Sequence, residues 1–231
     1  MSIKKILLII ILILIGLVAA FVIYQYEQPA STNMMKGNHT LLLLTVDPSE
    51  QRPGMGGVDM AFAVYTVDGD VKNLTPIYPG GMMHPTAMEP AGVGTGRLML
   101  HDTLWDADPA VGAKLAQETV VANTGIKTDG VVMVTPDAMI AAVGPINVPG
   151  QGKVTGNSIQ FLRAEQNSGG MSRGSAVESI MKPIMNATKD PSKYATLAQI
   201  AVDQYMKGNI AVVPSSLFTQ FAISKGINTI I

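Results

Sequence analysis

Two carboxylates bracket a glycine-rich loop in the first quarter of the chain. Asp47 follows the apolar run 40–46, and Asp59 opens the next apolar stretch after the loop 48–57. Ligands of α/β domains usually bind at strand ends and in the loops that follow them. Two carboxylates brought together there suit Mg²⁺, which takes few carboxylates together with water and phosphate oxygens. An ordinary turn is the alternative, because turns favour aspartate and glycine in any case.

Three arginines are candidates for holding an anion. Arg52 lies in the same loop, where its guanidinium could grip phosphate oxygens in a bidentate way. Arg163 stands near the end of a helical pattern, and Arg173 follows a glycine turn at the start of the next one. A guanidinium at a helix N-terminus is well placed to meet an anionic ligand. The alternative for Arg163 and Arg173 is a pair of solvated side chains that flank a loop.

The histidines do not predict a zinc site. His39, His84 and His101 are the only ones, and none has a partner at the spacing of metal ligands. His101 and Asp102 could line a crevice at the strand ends that carry Asp47 and Asp59. Alternatively, His101 could be a hydrogen-bonded structural residue. His84 lies in the segment 79–96, which is rich in Gly, Pro and Met. Such a long segment without periodicity is either a ligand loop or lid, or an ordinary surface loop.

The apolar patterns predict a layered α/β domain that positions these residues. Strands are expected over 40–46, 59–67, 71–77, 97–100 and 130–134, and Asp68-Gly69 predicts a hairpin. Helices are expected over 108–125, 135–144, 158–165, 172–187, 193–207 and 215–224. The first helix is predicted to present an apolar face of Val111, Leu115, Val120 and Val121. Strands that alternate with helices indicate a mixed central sheet flanked by helices.

The N-terminus predicts a single transmembrane signal-anchor over residues 6–24. Residues 6–23 carry no charge, and at about 1.5 Å per residue they match the thickness of a bilayer core. Lys4 and Lys5 precede the run, so residues 1–5 are expected to stay in the cytoplasm and the rest to cross. Residues 25–38 are expected to form a stalk, and 39–231 an extracytoplasmic domain. A cleaved signal peptide and a buried core helix are the alternatives.

The composition excludes some kinds of site and gives no support for others. The chain has no cysteine, which excludes disulfides and thiolate metal sites, so an exported domain must rely on its core. Its net charge of −1 gives no electrostatic reason to expect nucleic acid as a partner. About 190 residues after the stalk are the size of one ordinary domain.

The order of several motifs is similar to that of a known family. A lysine-led anchor precedes the run 41–47, and the motifs Val58-Asp59-Met60, 123–126, 128–134, 144–149 and 160–163 follow in order. This resembles the LytR-CpsA-Psr family of membrane-anchored extracytoplasmic proteins. It resembles still more closely the domain of unknown function numbered 4012 (DUF4012). The stretches 50–57 and 105–149 of this chain look like hallmarks of that family. The resemblance covers about residues 40–225.

The resemblance implies a function in the cell envelope. LytR-CpsA-Psr enzymes transfer a glycan phosphate from a polyprenyl-pyrophosphate lipid to a cell-wall polymer. By position, Asp47 and Asp59 would bind Mg²⁺, and Arg163 and Arg173 would grip the pyrophosphate. The family's arginine beside the second aspartate is replaced here by Gly57-Val58, for which Arg52 could substitute from elsewhere on the loop.

The sequence therefore predicts a single-pass cell-membrane protein with its domain outside the cytoplasm. The expected partners are the lipid bilayer, a polyprenyl-pyrophosphate glycan and a cell-wall polymer. The protein would bind this glycan or, as a Mg²⁺-dependent phosphotransferase, transfer its glycan phosphate. The alternative is a non-catalytic binding or scaffold module that keeps the fold without the phosphotransferase site.

Overall fold

A computed structural model describes residues 33–148, 152–153, 183–184, 186–187 and 190–224. Its strands are β1 (Asn38–Asp47), β2 (Gly57–Val67), β3 (Asp70–Ile77), β4 (Met83–Met88), β5 (Arg97–Met99), β6 (Gly130–Val134), β7 (Asn147–Val148), β8 (Gly152–Lys153) and β9 (Ile210–Val213). Its helices are α1 (Pro109–Thr124), α2 (Pro136–Val143), α3 (Pro191–Met206) and α4 (Ser215–Ser224), with a 3₁₀ helix over Leu100–Trp105.

A mixed five-stranded sheet forms the centre of the domain, in the order β3-β2-β1-β6-β9. β1 pairs antiparallel with β2 and parallel with β6, so the ends of β1 and β6 lie at the same edge. The predicted hairpin is confirmed between β2 and β3. Its turn residues Asp68 and Gly69 both have positive φ, 51° and 77°, the backbone of a tight two-residue hairpin turn.

Helices cover both faces of this sheet, which confirms the predicted layered α/β architecture. On one face, alternate residues of β1 such as Leu42 and Leu44 pack with Leu100 of the 3₁₀ helix and with Ala113 and Ala116 of α1. On the other face, residues of β1, β2 and β6 form a second apolar layer beside α2, α3 and α4. β1 is therefore buried on both faces, as its unbroken apolar run predicts.

Helix α1 has the predicted ends but a different buried face. The Asp108 side chain accepts from the Ala110 N–H at the start, and Gly125 ends the helix at φ 75°. Val111, however, is 42% exposed. Of the predicted residues only Val120 is fully buried, and it is joined by Gly112, Ala113, Ala116 and Thr119. Small residues lie against the sheet because they let the helix approach it closely. A prediction from side-chain hydrophobicity alone therefore gives the wrong contact face for this helix.

Two strands depart from the sequence expectations. The segment 79–96, predicted to lack regular structure, contains β4, which pairs with β5 as a separate two-stranded sheet. Its pairing contains a large register shift, so no alternation of polar and apolar residues marks it. β9 completes the main sheet beside β6 and has no counterpart in the predicted strands.

The first residues that the structure describes are already packed against the domain. Asn33 and Met34 are buried, and the Met34 N–H donates to Gln220 Oε1 at 2.9 Å. These residues belong to the stretch 25–38, predicted as a stalk, so packing starts before β1. No helix among the described residues is long and apolar enough to cross a bilayer. The predicted transmembrane segment 6–24 lies outside the described residues.

Candidate functional site

The two predicted metal ligands lie at neighbouring strand ends. Asp47 is the last residue of β1 and is level with Gly57, the first residue of β2. The register then shifts between Thr45 and Val46, and this bulge accommodates Asp59. Both aspartates are half-buried. The antiparallel pairing thus places at the same end of the sheet two aspartates that are separated in sequence by eleven residues.

The loop between these strands is fixed by close backbone contacts. Asp47 Oδ1 accepts from the Ser49 N–H at 2.9 Å and from Ser49 Oγ at 2.6 Å, which forms a tight turn directly after β1. Gly56 has a φ of 118°, and a Cβ there would come within 2.2 Å of the Asp47 carbonyl oxygen. The Gly54 N–H donates to the Trp105 carbonyl, which ties the loop to the 3₁₀ helix.

Arg52 points from this loop into the protein. Its side chain is only 7% exposed, and Nη1 donates to Asp102 Oδ1 at 2.6 Å and to the His101 carbonyl at 3.1 Å. Nη2 donates to Glu50 Oε2. The guanidinium also lies 5.8 Å from the ring centroid of Trp105. Both terminal nitrogens of Arg52 are therefore hydrogen-bonded within the protein, and an anion that takes the Nη2 hydrogen bond now made to Glu50 must replace that carboxylate.

Arg52, Glu50 and Asp102 form a charged cluster, and His101 lies at its exposed edge. Its Nδ1 lies 2.9 Å from the Val58 carbonyl oxygen, which can only accept, so Nδ1 carries a hydrogen. Its Nε2 lies 3.0 Å from Glu50 Oε2. Val58 directly precedes Asp59, and a Cβ on Gly57 would come within 2.7 Å of the imidazole. His101 therefore lies beside the strand ends that carry both aspartates, and both of its ring nitrogens have partners within the protein.

A second carboxyl pair lies behind Arg52. Asp102 is 2% exposed, and Glu89 is its neighbour from the turn after β4. Glu89 Oε1 accepts from the Met99 N–H at 2.8 Å, while Oε2 is closed off from solvent without a hydrogen-bond donor. Burial, followed by the Asp102 carboxylate, raises the pKa of Glu89 despite the opposing Met99 hydrogen bond and the Arg52 charge. Protonated Glu89 can donate a hydrogen bond to Asp102.

This pair predicts a pH-dependent stability. Because the folded state raises the pKa of Glu89, it binds the proton more tightly than the unfolded chain. The stabilisation is complete below the unfolded pKa and is lost as pH rises through the folded pKa. Glu89→Gln, whose amide imitates the protonated acid, should therefore raise Tm at pH 7, with a gain that shrinks as pH falls towards 4.5.

Differential scanning calorimetry at several pH values measures this effect. Asp70→Asn, at a carboxylate that is 65% exposed, serves as the control and should leave the difference from wild type small at every pH. A Glu89→Gln gain that is the same at pH 4.5 and pH 7 would contradict the shared proton.

His84 lies apart from this cluster. It is 3% exposed, and its Nδ1 accepts from the N–H groups of Thr86 and Ala87 at 3.1 and 2.8 Å. Its Nε2 must then carry the hydrogen, which it donates to Glu118 Oε2 at 2.9 Å. Both ring nitrogens hold β4 in place, so the structure gives this predicted ligand-loop residue a packing role.

The cluster unites some of the predicted residues and adds two that were missed. Asp47, Asp59, Arg52, His101 and Asp102 share one end of the sheet. Glu50 and Glu89 were not predicted, although Glu50 stands two residues before Arg52, a spacing that lets neighbouring charges meet. Arg163 and Arg173 lie outside the described residues. Within the part of the chain that the structure describes, no group of three His, Cys, Asp or Glu residues could hold a metal ion.

An apolar cavity of about 240 Å³ lies on the opposite face of the sheet. Val134 and Ile210 are in its wall, and Val134 is level with Thr45, two residues before Asp47. The rest of the wall comes mainly from α2 and α3, including Ala138, Ala142, Leu197, Ala198 and Ala201. A nearly unbroken apolar lining of this kind suits hydrocarbon.

Comparisons with known structures identify the fold. The gbs0355 protein of Streptococcus agalactiae matches with a TM-score of 0.55 at 16% identity, over 86% of this chain and 76% of its own. TagV of B. subtilis matches with a TM-score of 0.51 at 15% identity, over 83% of this chain and 80% of its own. A transcriptional regulator of Enterococcus faecalis, EF0465, gives 0.51 at 16% identity, over 86% and 74%.

These structural neighbours are LytR-CpsA-Psr proteins, and at such low identities the likeness establishes a shared fold. No curated protein sequence matches the chain significantly. The sequence model of the family described as "Protein of unknown function (DUF4012)" matches residues 36–166, which is more than half of the 231 residues. The chain therefore belongs to the DUF4012 family and has the fold of the LytR-CpsA-Psr proteins.

Proposed function

We propose that this protein works in the cell envelope, where it binds a polyprenyl-pyrophosphate-linked glycan. The single observation that carries the proposal is the apolar cavity beside the sheet edge that bears Asp47 and Asp59. A lipid pyrophosphate needs an apolar space for its first isoprene units and polar groups for its phosphates. Val134 of the cavity wall is level with Thr45, two residues before Asp47, so a ligand that passes round the ends of β1 and β6 could contact both regions.

The strand-end aspartates would contribute through a cation. Mg²⁺ usually takes one or two protein carboxylates and completes its shell with water and phosphate oxygens. Asp47 and Asp59 fit that requirement, although the described residues offer no complete protein cage. Bound Mg²⁺ would offset the negative charge of the pyrophosphate, while the two carboxylates would fix its position.

Membrane anchoring is part of the proposal. Ten residues, 24–33, separate the uncharged run 6–23 from Met34, which is already packed in the domain. An extended chain of that length spans about 30 Å, so an anchored domain would stay close to the bilayer surface. That position suits a ligand whose isoprenoid tail remains in the membrane. Binding is proposed without transfer, because Gly57-Val58 stands where the resemblance implies an arginine beside the second aspartate.

Filling the cavity should abolish most of the lipid affinity. Ala201 of α3 lines the cavity, and Ala201→Phe would place a ring where the tail is expected. We expect geranylgeranyl pyrophosphate to bind the full chain in detergent with Mg²⁺, and this variant to bind at least about tenfold more weakly, a loss of about 1.4 kcal/mol. Isothermal titration calorimetry measures both affinities, with a titration into protein-free micelles as the blank.

Ala195→Phe is the matched control, because Ala195 is an exposed alanine of the same helix. It should leave binding unchanged. Equal affinity of wild type and Ala201→Phe would rule out the cavity as the site of the tail, and no binding by the wild type would overturn the proposed function.

A further inference from the structure

The Glu50 carboxylate lies where two hydrogen-bond donors converge. Its Oε2 accepts from Arg52 Nη2 and lies 3.0 Å from His101 Nε2. The His101 Nδ1 already donates to the Val58 carbonyl, which directs Nε2 towards Glu50. Arg52 Nη2 and His101 Nε2 thus converge on one oxygen, and proteins hold carboxylate or phosphate oxygens with converging groups of this kind.

Both donors are fixed by contacts that do not involve Glu50. The Arg52 side chain is held by buried Asp102 and by the His101 carbonyl. The His101 ring is held by the Val58 carbonyl and packs on Gly57, where a side chain would collide with it. Removing Glu50 would therefore leave the two donors in place and directed at the same point, so the subsite is preorganised.

The acceptor, in contrast, is the most exposed charged member of this arrangement. The Glu50 side chain is 39% exposed, slightly more than the 37% of His101, whereas that of Arg52 is 7% exposed. Glu50 lies in the Gly- and Pro-rich loop 48–57, and its carboxylate can rotate towards solvent without moving a strand. Because Glu50 is half-exposed, it recovers hydration when it leaves Arg52, so a competing anion displaces it at a lower cost than it would a fully buried carboxylate.

The charges after such a displacement favour an anion. Buried Asp102 pairs with Arg52 Nη1, and Glu50 pairs with Arg52 Nη2 and contacts His101. Once Glu50 leaves, the Arg52 N–H group and His101 Nε2 face the position that Glu50 Oε2 occupied, beside Gly57.

We propose that Arg52 and His101 form a phosphate-binding subsite that the protein's own Glu50 carboxylate occupies when ligand is absent. Glu50 is then an autoinhibitory plug, and a pyrophosphate oxygen replaces it on binding. The subsite explains how Arg52 could serve an anion despite its burial: only Nη2 changes partner. The inference rests on the proposed function for the identity of the ligand as a lipid pyrophosphate, while the anion subsite rests on the contacts alone.

Removing the plug should tighten phosphate binding. The full chain in detergent, with Mg²⁺ present, is titrated calorimetrically with inorganic pyrophosphate. We expect Glu50→Ala to bind about tenfold more tightly than wild type, because the variant no longer spends binding energy on displacing a carboxylate. Glu50→Gln, which keeps the shape and loses the charge, should shift in the same direction. The double variant Glu50→Ala/His101→Ala should lose the gain.

Glu118→Ala is the matched control, because Glu118 is also a half-exposed carboxylate bonded to a histidine, His84, outside this cluster. It should bind pyrophosphate as the wild type does, and melting curves verify that each variant is folded. Affinity that is unchanged or weaker in both Glu50 variants would overturn the subsite. Geranylgeranyl pyrophosphate forms the second arm: a Glu50→Ala gain for inorganic pyrophosphate without added affinity from the lipid tail would keep the subsite and reject the lipid assignment.

Discussion

Arg52→Met should destabilise the domain by about 3–5 kcal/mol, the usual cost of removing one partner from a buried ion pair. Methionine fills a similar volume against Trp105, so the loss comes from charge rather than from a cavity. Asp102, at 2% exposure, would be left with an uncompensated carboxylate beside Glu89. Urea unfolding at pH 7, followed by circular dichroism, measures the difference in unfolding free energy.

A double-mutant cycle distinguishes this pair from a general packing effect. Asp102→Asn removes the charge that Arg52 compensates, so Arg52→Met/Asp102→Asn should be clearly less destabilised than the sum of the two single variants. Arg97→Met, at an exposed arginine of β5, is the control and should stay within about 0.5 kcal/mol of wild type. Additive single effects would show that Arg52 and Asp102 contribute independently.

Gly56→Ala should be nearly as damaging, at about 3 kcal/mol or more. Its φ of 118° belongs to a region that essentially only glycine adopts, and such strain costs about 1–3 kcal/mol. The added Cβ would also meet the Asp47 carbonyl oxygen at 2.2 Å and Pro48 Cα at 3.0 Å, both backbone atoms. Overpacking of this kind adds about 1–3 kcal/mol, because the end of β1 must shift.

Gly80→Ala provides the comparison, since Gly80 is exposed and its Cβ would meet no atom within 4 Å. It should leave urea unfolding almost unchanged. Because Gly56 borders Asp47, Gly56→Ala should also weaken any Mg²⁺-dependent rise in Tm, whereas Gly80→Ala should preserve it. If both variants unfolded alike, the tight loop would not set the position of the aspartate.

The sequence by itself determined the elements that carry the site. The apolar run that ends at Asp47 requires burial on both faces, and Asp68-Gly69 permits the positive φ values of a two-residue turn. These are local properties, in which periodicity and backbone preference act within a few residues. The same holds for the ends of α1, where Asp108 satisfies a free N–H group and Gly125 adopts a left-handed conformation.

The tertiary structure decided which side chains meet and which face each helix buries. α1 packs through Gly112 and Ala116 rather than Val111, because closeness to the sheet outweighs side-chain hydrophobicity. Arg52 could be expected to bind an anion, but only the fold brings Asp102, fifty residues further along, to its Nη1. Charged residues that are remote in sequence come into contact through strand register and loop packing. Their spacing along the chain therefore does not predict that contact.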